Sequence, residues 1–114
     1  MAAGGIPSIN ELIGQVVQVA SLVAYQPGSV VSREIVKKSN GKVTVFAFDK
    51  EEGLSEHTSP FDALVQVVEG EVEITISGHP YRVNAGELLL MPANQPHSLK
   101  AVQRFKMILT MLRG

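Results

Sequence analysis

The chain has 114 residues, 45% of them hydrophobic and 18% charged, which is one domain's worth of polypeptide with enough apolar side chains for its own core. Cysteine is absent, so disulfide frameworks, thiolate metal centres and cysteine nucleophiles are excluded together, and a reducing, cytoplasmic setting is the expectation. Ten basic residues stand against eleven acidic ones without long runs of either sign, so neither nucleic acid nor an anionic membrane is an expected partner.

At the start, Met1 to Pro7 lacks the basic and apolar stretches of a secretory signal, and no window reaches the roughly 20 apolar residues of a membrane helix. Ser8-Ile9-Asn10-Glu11 has the Ser-x-x-Glu spacing of a capping box, and Ile9, Leu12, Ile13 and Val16 continue it at helical spacing. One or two helical turns follow from that. Gly14 and the β-branched Val16, Val17, Val19 and Val23 weaken the helix, and extended structure is expected by Ser21. Residues 1–28 read as an arm packing on the rest of the chain or on a partner, and residues 29–114 as the body.

From Tyr25 onward, turn-forming clusters such as Gln26-Pro27-Gly28, Asn40-Gly41, Ser77-Gly78-His79-Pro80 and Asn84-Ala85-Gly86 separate short runs of Val, Ile, Leu and Phe. Val72, Ile74 and Ile76 alternate with Glu71, Glu73 and Thr75, the period of a strand with one wet face. Residues 43–48 and 105–112 are apolar on nearly both faces, so each needs cover twice, and a second copy of the chain is the expected cover: a homodimer. An antiparallel all-β sandwich or barrel is the architecture left by these patterns. Lys37-Lys38 and Glu51-Glu52 read as solvated positions without chemistry.

Of three histidines, His79 falls in a hairpin turn, whereas His57 and His97 each stand at the edge of a strand-like segment. The stretch from His57 to Gly70, with Gly86, Pro92 and His97 behind it, resembles the two signature motifs of the cupin superfamily of small β-barrels. The second motif, Gly-x5-Pro-x-Gly-x2-His, is matched in register except that Asn94 replaces its inner Gly, and Asn tolerates the left-handed backbone the corner needs. In the first motif His57 matches the leading His and Gly70 the closing Gly, while Ser59 stands for the second His and Ala63 for the Glu.

The resemblance implies a double-stranded β-helix, the RmlC-like jelly-roll barrel, preceded by the short helical or irregular arm. It also implies a site from which two of four metal ligands are missing. His57 and His97 remain as metal donors, and a divalent transition metal such as Zn, Fe, Mn or Ni would need water, a ligand's oxygens, or Ser59, Asp62 or Gln66 to complete its shell. Glu56 and Glu69 are the nearest spare carboxylates. Without a metal, two buried imidazoles are expected to be neutral and suited to a small polar ligand. The ligand-binding set is His57, Ser59, Gln66, Met91, His97 and Met107, with Met111, Phe46, Phe48, Phe61 and Phe105 as further lining. Binding of a small organic molecule near His57 and His97 is the leading reading. A metal-dependent enzyme of dioxygenase, isomerase or lyase type, and a non-catalytic structural or regulatory dimeric module, are the alternatives.

Overall fold

The computed structural model describes residues 12–114, and the Ser8 to Glu11 capping box lies outside them. Nine strands follow in chain order: β1 (Val30–Lys38), β2 (Gly41–Phe48), β3 (Gly53–His57), β4 (Asp62–Glu69), β5 (Glu71–Ile76), β6 (His79–Asn84), β7 (Leu88–Met91), β8 (His97–Ala101) and β9 (Phe105–Leu112). They form two sheets, a five-stranded one in the order β1-β2-β9-β4-β7 and a four-stranded one in the order β3-β8-β5-β6, with every pairing antiparallel. No helix among the described residues is long and apolar enough to cross a membrane.

Strand periodicity sets the core. On β5, Val72 and Ile74 are fully buried while Glu71 and Glu73 point outward and meet Arg82 of β6 at 2.7 and 3.4 Å. On the five-stranded sheet, Phe48, Val65, Val67, Phe105 and Met107 face the opposing sheet and join Val72, Ile74, Val83, Leu99 and Ala101 in one cluster. Gly70 closes the β4–β5 turn at φ 82°, where a Cβ would run into the Arg104 carbonyl, so only glycine fits there.

The arm departs from expectation. Residues 19–21 make a 3-10 turn and no strand starts before Val30, so Ser21 is not yet in extended structure. Leu22 and Val23 bury themselves on the outer face of the sheet against Val45 and Ala47, with Tyr25, Val31, Ile35 and Ile108 around them. Lys106 donates to the Ala20 carbonyl at 2.6 Å, and Tyr25 donates its hydroxyl to Glu69 at 2.6 Å while its ring lies 4.8 Å from both the Lys106 ammonium and the Arg104 guanidinium. Burial, reinforced by the bond to Glu69, raises the Tyr25 phenol's pKa. The arm thus covers Val45 and Ala47 on the second face of β2 and reaches Ile108 of β9, while Leu112 at the end of β9 stays exposed.

Candidate functional site

His97 opens β8, whose alternation buries His97, Leu99 and Ala101 together on the inward face. His57 ends β3 just after a register shift, and the pairing makes it the direct cross-strand neighbour of His97. Their ring centroids are 4.4 Å apart, edge to face at 69°. The two imidazoles differ in depth: His97 is 5% exposed, while His57 is exposed at the rim, contrary to the expectation that both are buried, because the bulge in β3 carries it to the edge of the sandwich.

Each ring is oriented by its own strand. His57 Nδ1 lies 2.7 Å from the Ser55 carbonyl oxygen and His97 Nδ1 lies 3.2 Å from that of Gln95. A carbonyl only accepts, so Nδ1 carries a proton and donates in both rings, and in the neutral form of each ring Nε2 is then the acceptor. Burial, together with the neighbouring His57, lowers the pKa of His97 against the opposing pull of the Gln95 carbonyl, so the neutral form is favoured.

Behind the pair lies an apolar hollow of about 50 Å³, walled by Leu54, Ala63, Met91, Leu99, Met107, Leu109 and Met111. One water needs about 10–15 Å³ on such a measure, so the hollow takes only a few non-hydrogen atoms, with the rest of any larger molecule projecting past His57. The structure therefore brings His57, His97, Met91, Met107 and Met111 together. Leu54, Leu99 and Leu109 were missed by the sequence reading, although the alternation of β9 places Leu109 on the same face as Met107 and Met111. Ala63 is the informative absence: the residue that removes a carboxylate also leaves the space.

Other expected members lie elsewhere. Gln66 is exposed, because Ala63, Val65 and Val67 take the inward positions of β4 and Gln66 falls between them. Ser59 does not reach the hollow; its hydroxyl accepts from the Phe61 amide at 3.2 Å and its carbonyl accepts from the Asn94 amide at 2.7 Å. Asn94 has φ 64°, the left-handed conformation that lets it replace the motif's Gly. Asp62 accepts from the Ala93 amide at 2.9 Å, so Ser59 and Asp62 tie the loops carrying the two histidines instead of donating to a metal. Glu69 is engaged by Tyr25, and Glu56 is exposed on β3. None of the four phenylalanines walls the hollow: Phe48 and Phe105 stack at 4.5 Å further along the strands, Phe46 lies beside Phe48, and Phe61 lines a neighbouring opening.

No group of three or more His, Asp or Glu side chains arranged to hold a metal occurs among the described residues. Two imidazoles supply neither the donor number nor the negative charge that offsets dehydration of a divalent cation, so this donor set does not fit a resident metal.

A family profile described as "Cupin domain" matches residues 44–112. Among solved structures, a conserved protein of unknown function from Streptococcus pyogenes superposes with a TM-score of 0.86 at 36% identity, covering 89% of each chain. A cupin superfamily protein from Desulfitobacterium hafniense does so at 0.84 and 25% identity, over 89% of this chain and 93% of that one. A Cupin 2 conserved barrel domain protein from Leptotrichia buccalis gives 0.80 at 40% identity over 82% of this chain, but only 46% of its own. No curated protein matches the chain.

Proposed function

The chain belongs to the cupin superfamily, and from that premise we propose that it binds a small organic molecule, whose apolar end enters the hollow and whose hydroxyl or other donor is held on Nε2 of His57 and His97. The observation that carries this reading is the pair of imidazoles, each with Nδ1 committed to a backbone carbonyl, at the mouth of an apolar hollow. An apolar wall with a few convergent polar groups is how small-molecule sites are built, and three methionines let the wall adjust to shape.

Calorimetric titration of the native protein and Ala63→Leu with short alcohols, phenols and carboxylates tests it. Saturable binding in the native protein, abolished by Ala63→Leu because leucine fills the hollow, is the expected result. A panel in which nothing saturates, or in which the filled variant binds as well, overturns the reading. A second reading, an isomerase or lyase using His97 as general base, draws on the burial that keeps this imidazole neutral and ready to accept a proton. It requires turnover on the bound molecule that His97→Ala eliminates.

A further inference from the structure

The register of the five-stranded sheet carries the wall of the hollow outward to an unpaired positive charge. Met91 pairs with Ala63, Ala63 with Met111, Met111 with Lys42, and Lys42 with Lys37, one direct cross-strand row over five strands. Directly opposed residues point to the same side of a sheet. Lys42 and Lys37 therefore stand on the face that walls the hollow, and at roughly 4.8 Å per strand Lys42 begins about 10 Å from Ala63. Met111 lines both the hollow and a second cavity of about 280 Å³, whose other walls include Lys37, Lys42, Ser59 and Phe61. The Arg113 guanidinium lies 4.9 Å from the centre of the Phe61 ring, adding a further positive charge beside that opening.

Lys37 and Lys42 form a like-charged pair at directly opposed positions, an arrangement that costs stability unless an anion sits between them. Among the described residues neither forms an ion pair. Glu34, a carboxylate on that face of β1, pairs with Thr44 in the next row and, among the described residues, forms no ion pair with either lysine. The chain as a whole carries a formal charge of -1, so this end of the sheet departs from its average.

We propose that the two cavities are one ligand site and that the ligand is an amphiphilic anion. Its apolar body passes Met111 with one end at the histidines, and its carboxylate or phosphate lies between Lys37 and Lys42. This deepens, and rests on, the reading of the hollow as a ligand site. Lys37, which the sequence suggested was merely solvated, becomes a specificity residue.

The probes are 6-hydroxyhexanoate and its neutral amide, 6-hydroxyhexanamide, titrated into the native protein, Lys37→Gln/Lys42→Gln and Ala63→Leu. The acid is expected to bind the native protein at least about ten-fold tighter than the amide, since hydrogen bonds to charged groups are worth that much. The preference collapses in the double lysine variant and in high salt, while amide binding is unchanged. Equal affinity of acid and amide for the native protein, with both lost in Ala63→Leu, ends the anion inference and leaves the hollow as a site for neutral molecules. Binding of neither molecule removes both. A measurement without ligand adds an independent check: Lys37→Gln should raise Tm by relieving the opposed pair, and a lowered Tm contradicts the repulsion on which the inference stands.

Discussion

The inner face of the five-stranded sheet has two ends built from the same strands, and they behave oppositely. At one end Phe48 and Phe105 are fully buried and stacked at 4.5 Å, in one cluster with the fully buried Val65 and Val72. At the other, Ala63, Met91 and Met111 leave a hollow and the row runs out into lysine. Aromatic rings paired on adjacent strands of one sheet fill the space toward the other, whereas one alanine among flexible methionines does not. Stability is thus concentrated at the closed end, and the chemistry-bearing groups gather where packing is incomplete.

Breaking the closed end should have the largest effect. Phe105→Ala removes a stacked, fully buried ring and is expected to cost about 3–5 kcal/mol in denaturant unfolding, as large-to-small core substitutions do. A loss below about 1 kcal/mol contradicts the division between the two ends. Next comes Ala63→Glu at the open end. A carboxylate buried there without a partner is expected to cost about 2 kcal/mol or more. It also gives the histidine pair the carboxylate it lacks, so added Zn²⁺ should restore the melting temperature of Ala63→Glu and not that of Ala63→Glu/His97→Ala. If Zn²⁺ stabilises native protein and Ala63→Glu equally, the missing carboxylate is not what limits metal binding.

The smallest effect is a pH dependence. The folded-state pKa of His97 lies below its ordinary value of 6.5, so just below that pH the unfolded chain binds more protons than the folded one. Its contribution to stability is therefore complete above pH 6.5, declines as the pH falls from there, and stops changing below the folded-state value. Stability measured from pH 8 to pH 5 should show a decline in the native protein that is shallower in His97→Gln. Parallel curves for the two proteins would place the proton uptake elsewhere.

Much of this architecture was legible from spacing. The distance from Gly86 through Pro92 to His97 defines a corner whose one departure, Asn94, adopts the left-handed backbone that its side chain tolerates. The period-two alternation of β5 separated its buried from its wet face. The same rule places Gln66 outward, between the inward Val65 and Val67, although its polar side chain made it a candidate spare donor for the histidine site. The phenylalanines illustrate a different limit: their faces follow from alternation, while their height along the strands depends on cross-strand register, which a single run of residues does not contain. Register likewise hid the lysine row, since Lys42, Met111 and Ala63 are neighbours only once three strands are aligned. The cover of β2 and β9 by Leu22 and Val23 was hidden because an apolar face does not specify what buries it.

The central claim is most directly tested by side-chain ¹⁵N NMR of the three histidines at pH 8 during titration with phenol. His57 and His97 are expected to appear as Nδ1–H tautomers, and phenol should shift Nε2 of both while the exposed His79 of the β5–β6 hairpin stays still. Protons found on Nε2 of the pair, or phenol shifts that are absent or no larger than those at His79, would contradict a ligand site built on the two bare nitrogens.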